Sequence, residues 1–115
     1  MSSLALNDLI KNRVLVTRES ARRLAPAIEG ATDNVHHRLT LDFSHIDGMT
    51  PSFLDELLAV IEEVFARRGA ESFRVEMLNP PTALSSKFAA IGRGRELTLV
   101  ESSGAWTIDR QRRAC

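Results

Sequence analysis

The chain has 115 residues, 43% of them hydrophobic, with fifteen basic residues against fifteen acidic ones and a single cysteine. That length fits one domain, 1–115, with enough apolar content for a real core, and the balanced charge gives no general attraction to nucleic acid or to a membrane surface. One cysteine, Cys115, excludes an internal disulfide framework, and no window approaches the roughly 18 apolar residues of a membrane span.

Met1 to Ile10 lacks the basic start and apolar run of a signal peptide, so a cytoplasmic location is expected. Leu4 to Ile10 reads as a short edge strand, and Val14 to Val16 as a brief β-leaning run. Thr17 is placed to cap a helix carrying Ala21, Leu24, Ala25 and Ile28 on one face, with a kink at Pro26 and a stop at Gly30. Leu39, Leu41 and Phe43 then alternate with Thr40 and Asp42, the period of a half-buried strand.

After the loop Ser44 to Thr50 comes the clearest helix. Thr50 is a good N-cap and Pro51 a good first residue. Phe53, Leu54, Leu57, Leu58, Val60, Ile61, Val64 and Phe65 fall within an arc of about 160° at helical spacing. Asp55, Glu56, Ala59, Glu62, Glu63, Ala66 and Arg67 fill the rest, which reads as a solvated acidic ridge. On that reading, reversing the charge of Asp55 or Glu62 leaves folding nearly intact. Arg68-Gly69 ends the helix. Phe73, Val75 and Met77 alternate with Arg74 and Glu76 as a strand, and Asn79-Pro80-Pro81 breaks it. Thr82 caps a short helix bearing Leu84, Phe88 and Ile91, closed by Gly92. Leu97 to Val100 and Ala105 to Ile108 flank a turn at Ser102-Ser103-Gly104, a C-terminal β-hairpin.

The alternation has a consequence for architecture. Strands buried on both faces become continuous apolar runs, and these do not. Arg38, Thr40, Asp42, Arg74 and Glu76 all fall opposite the apolar positions. The expected fold is therefore α/β, a mixed sheet in the order β-α-β-α-β-α-β-β with the helices mainly on one face and the other face wet.

Motifs that carry chemistry are sparse. His45 and Asp47 share a loop, and a small hydrolase or transferase using them is the alternative reading, although imidazole needs an oriented partner and a nucleophile in reach. His36 and His37 lack carboxylate or thiolate companions at ligand spacing, so no metal site is expected. Gly92-Arg93-Gly94 follows a helix instead of opening one, so no dinucleotide fingerprint and no cofactor are expected. Arg110, Arg112 and Arg113 read as a solvated terminus.

The strand-loop-helix Leu39 to Leu57 resembles the STAS domain (sulfate transporter and anti-sigma-factor antagonist), and more closely the bacterial STAS-like domains of unknown function. Thr17 to Leu24, the strand end Asp42-Phe43 and the Ser-Phe-x-Asp-Glu motif Ser52 to Glu56 carry the likeness, strongest over 14–78. The resemblance implies a one-sided sheet and a helix opened by a regulated hydroxyl. Aligning Asp42 and Ser44 with the family's Asp-x-Ser puts Thr50 at the aspartate of its Asp-Ser-Ser-Gly stretch, Pro51 at the phosphorylated serine and Ser52 at the second serine. Proline accepts no phosphate, so the candidate phosphoacceptors are Ser52 and then Thr50.

The reading that results is a non-catalytic protein–protein interaction module, in partner-switching signalling by resemblance. Its partner surface comprises Ser44, His45, Asp47, Thr50 and Ser52 in the loop and helix start, with Asp55, Glu56 and Glu62 on the acidic arc. By resemblance the partner is a histidine-kinase-like ATPase or an anti-sigma factor, with no role for nucleic acid or membrane.

Overall fold

A computed structural model of the chain describes residues 2–33, 38–68, 74–81, 85–95, 97–102 and 104–110. In chain order the elements are β1 (Ser2–Ala5), α1 (Leu6–Leu9), β2 (Val14–Leu15), α2 (Arg18–Arg22), α3 (Ala25–Asp33), β3 (Arg38–Asp42) and β4 (Gly48–Met49). They continue with α4 (Pro51–Arg68), β5 (Arg74–Leu78), α5 (Ser85–Arg93), β6 (Leu97–Ser102) and β7 (Ala105–Arg110). β1, β3 and β5 are parallel neighbours, and the antiparallel β6–β7 hairpin joins through β7, giving the sheet order β1-β3-β5-β7-β6. The short strands β2 and β4 pair separately, in parallel.

This order explains why one face is covered. The steps β1 to β3, β3 to β5 and β5 to β6 all advance in the same direction across the sheet, and β6 runs parallel to β5 two places away. Right-handed crossovers then put every connecting helix on the same side. Burial agrees with that topology. Leu39, Leu41, Val75, Met77, Leu97, Leu99 and Ile108 are buried on one face, by register, together with all eight residues of the apolar arc of α4. Arg38 and Arg74 are exposed on the other face, as expected. The hairpin turn carries Gly104 at φ 82°, a left-handed conformation that glycine takes without strain.

Several local expectations change. The N-terminal edge strand ends at Ala5, where its register with Asp42 runs out, and Leu6–Leu9 coils into one helical turn that buries Leu6. Thr17 caps as expected, accepting from the Ser20 N–H at 3.1 Å, but the helix is broken instead of kinked. Arg23 and Leu24 turn between α2 and α3, and Leu24 N–H bonds the carbonyl only three residues back, Ala21, at 3.0 Å. Pro26 thereby falls in the first turn of α3, where its missing N–H costs nothing. Gly30 is not a stop, because α3 continues to Asp33.

Gly92 lies in the last turn of α5, one residue before its end at Arg93. It is buried against β6, where a Cβ would run into the Leu99 side chain, so it permits close helix–sheet approach. Thr40, expected to be wet, is only 8% exposed. It sits in the middle of the sheet between Ser3 and Glu76, and Arg38 and Glu76 approach each other beside it at 3.8 Å, so their longer side chains shade it. Glu76 is accordingly half-buried. The expectations that concern His36, His37, Gly69, Phe73, Thr82, Leu84, Arg112, Arg113 and Cys115 fall outside the described residues, as do the side chains of Phe88 and Arg110.

Candidate functional site

The loop that follows β3 is built on one carboxylate. Asp42 Oδ1 accepts from the Ser44 N–H at 2.9 Å, from the Ser44 hydroxyl at 2.7 Å and from Asn79 Nδ2 at 3.3 Å. Asn79 Nδ2 also donates to Ser44 Oγ at 3.0 Å, closing the cluster. The Ser44 hydroxyl is the first cause that holds the Asp42 carboxyl below its ordinary range. Its backbone N–H, Asn79 and the charge of His45 add to that, while partial burial opposes them.

Two residues here have left-handed backbone, His45 at φ 69° and Asn79 at φ 54°. Asparagine and histidine are among the residues enriched in that conformation. The Phe43–Ile46 turn closes with Ile46 N–H on the Phe43 carbonyl at 3.0 Å, and Phe43 N–H bonds the Leu78 carbonyl at 2.8 Å, tying the loop base to β5. Asn79 was legible in the sequence only as part of a break before two prolines. An asparagine directly after a strand, where the chain must reverse, is the signal that could have found it.

From Ile46 onward the loop is held by β2. Asp47 N–H bonds the Arg13 carbonyl at 2.6 Å, Thr50 N–H bonds the Leu15 carbonyl at 2.9 Å, and Ile46 and Met49 are buried. The Asp47 carboxylate pairs with Arg13 at 3.0 Å, both side chains exposed. His45 is exposed, and no hydrogen bond among the described residues joins it to Asp47. The pair on which the hydrolase or transferase reading depended is therefore not assembled.

Thr50 does cap α4, accepting from the Phe53 N–H at 3.2 Å, and Leu54 N–H begins the helix on the Thr50 carbonyl at 3.1 Å. The same hydroxyl donates to the Val16 carbonyl, so both of its hydrogen-bonding functions are engaged. Ser52, two residues on, is exposed in the first turn. The two candidate phosphoacceptors thus differ: one hydroxyl is built into the fold and the other faces solvent.

The acidic arc of α4 is not the solvated ridge that its helical position suggested. Arg18 donates to Asp55 Oδ2 at 2.7 Å and approaches Glu56 at 3.7 Å. Arg22 uses Nε and Nη2 on Glu56 and places Nη1 on Glu63 at 2.9 Å. Arg95, just past α5, forks onto Asp55 and comes within 3.9 Å of Glu62. Arg95 and then Arg18 depress the Asp55 carboxyl to about 2, against a smaller opposing effect of burial. Arg22 holds Glu63 below its ordinary value and is itself raised by Glu63 and Glu56, and Arg95 is raised chiefly by Asp55. Ala59, between Glu56 and Glu63 on this face, is buried because α2 lies across it.

Of the residues singled out from the sequence, Ser44 joins Asp42, and Thr50 and Ser52 open α4. Asp55 and Glu56 are drawn into internal ion pairs, and Glu62 stands at their edge. Within the described residues, no helix is long and apolar enough to cross a membrane. A family model described as a STAS-like domain of unknown function matches residues 20–81. No curated protein and no solved structure matches the chain.

Proposed function

The chain belongs to that family of STAS-like domains, and we propose that it acts as a non-catalytic, cytoplasmic module of protein–protein regulation whose partner surface is the segment Ser44 to Ser52. The observation that carries this reading is the way the segment is held. Asp42 and Asn79 pin it from one side and β2 from the other, while His45, Asp47, Pro51 and Ser52 remain exposed on the resulting frame. A preorganised surface loses less conformational freedom when a partner docks, so more of the contact energy appears as affinity.

The partner of this reading is an anti-sigma factor or a histidine-kinase-like ATPase, which rests on the resemblance of the segment Leu39 to Leu57 to anti-sigma-factor antagonists. Ser52 is the phosphoacceptor of this reading. It is exposed in the first turn of an 18-residue helix, where a phosphate meets the favourable end of the dipole. Thr50 ranks second, since phosphorylation takes away the hydrogen that its hydroxyl donates to the Val16 carbonyl and loads the oxygen that caps the Phe53 N–H. On α4, Glu62 is placed to touch the partner at the rim, and Asp55 and Glu56 shape the surface through the arginines they hold.

Affinity purification from the native cell, comparing wild type with His45→Ala and Ser52→Asp, tests the proposal. Loss of the same copurifying protein from both variants, with retention by a Thr98→Ala control on the far sheet face, is expected. Equal recovery by all three places the interface elsewhere.

A further inference from the structure

Residues 16–23 join two core leucines, Leu15 and Leu24, which are 1% and 2% exposed. Between them Ala21 is the only buried side chain. The helix in this stretch, α2, has five residues, far too short to be stable by itself. It nevertheless lies along α4, and what holds it there is polar. Thr50 donates its hydroxyl to the Val16 carbonyl, Arg18 pairs with Asp55, and Arg22 spans Glu56 and Glu63. Both arginines are about half exposed, 52% and 43%, so these attractions are open to screening by salt.

Compare α4 beneath it, whose apolar arc is buried throughout and whose opening requires the core to come apart. An element with a single small buried side chain and solvent-accessible ion pairs belongs to the low end of local stability. We infer that residues 16–23 are an ionically latched strap, hinged at Leu15 and Leu24, that opens over α4 while the sheet and α4 stay folded. Opening uncovers Ala59, frees the carboxylates of Glu56 and Glu63 from Arg22, and leaves Asp55 to Arg95 alone. It also releases the Thr50 hydroxyl from Val16. The strap therefore both covers one face of α4 and braces the residue that starts that helix. This inference concerns the free protein and stands whether or not the segment Ser44 to Ser52 binds a partner.

Residue-resolved hydrogen exchange on the full chain, at fixed pH and in 50 and 500 mM sodium chloride, reads the device directly. Amides of Ala21, Arg22 and Arg23 are expected to exchange at least tenfold faster than those of Leu57 to Val64, and to accelerate several-fold in high salt while the α4 amides do not. The Arg18→Gln/Arg22→Gln double variant should exchange in the strap as fast in low salt as wild type does in high salt, with Trp106 fluorescence unchanged. Should that variant fail to fold, Glu63→Gln removes one latch from an exposed position and is expected to give a smaller acceleration of the same amides. Strap amides that exchange at the α4 rate, or that ignore salt, overturn the inference.

Discussion

Arg95 lays its guanidinium along the Asp55 carboxylate, with Nε 3.1 Å from Oδ1 and Nη2 3.0 Å from Oδ2. Arg18 reaches the same carboxylate from α2, so Asp55 ties together the start of α4, the turn after α5 and the segment before α3. A residue that looks like free surface on a helical wheel is the junction of three parts of the chain.

Asp55→Asn is therefore expected to destabilise the protein by about 1–2 kcal/mol at pH 7, a value reduced for the partial exposure of the pair. The Asp55 carboxyl is depressed from 3.8 to about 2 in the folded state. Its contribution is then fully present above the unfolded value and is lost as the pH falls through the folded one. Urea titrations should show wild type and Asp55→Asn well separated at pH 7 and converging near the folded value. A constant gap across that range would assign the loss to something other than the charge. Asp55→Lys should be worse than Asn, whereas Glu62→Lys should stay within about 0.5 kcal/mol of wild type.

Thr50→Ala removes a cap and a bond to Val16, and about 1–2 kcal/mol of stability should go with them. Thr50→Ser retains both functions and should restore most of it. Ser52→Asp, by contrast, places a negative charge in the first helical turn and should be neutral or stabilising by about 0.3–1 kcal/mol. Thermal melts separate the three, and phosphopeptide mass spectrometry on protein from the native cell should find modification at Ser52 before Thr50.

Asn79 makes two separable contributions, a left-handed backbone and the amide that holds Asp42 and Ser44. Asn79→Gly loses only the second, and Asn79→Ala loses both. Alanine should therefore be the less stable of the two by about 1–2 kcal/mol, the cost of left-handed backbone for a residue with a Cβ. Equal denaturation midpoints would mean that the backbone relaxes out of that conformation in the alanine variant.

Leu57 is fully buried in the middle of α4. Leu57→Ala should cost about 2–5 kcal/mol in a denaturant titration. That loss should exceed the effect of an alanine substitution at any of the exposed positions His45, Asp47, Pro51 and Ser52.

The features legible in the chain alone were those written in short-range pattern. The period-2 strands dictated a sheet covered on one face, the apolar arc from Phe53 to Phe65 the central helix, Thr50 its cap, and the last two strands a hairpin. Each is a matter of residues within a few positions of one another, where backbone geometry fixes which side chains share a face. The tertiary structure decided the partners of the charges. Asp55 meets Arg18 and Arg95 across 37 and 40 residues, and Asn79 meets Asp42 across 37. It also decided that Gly92 faces Leu99, that Thr40 is shaded by its neighbours, and that Ala59 lies under α2. Helical and strand periodicity tell which way a side chain leaves its own element. They carry no information about what another element brings to meet it, and for a carboxylate that meeting decides whether it is free surface or a structural joint.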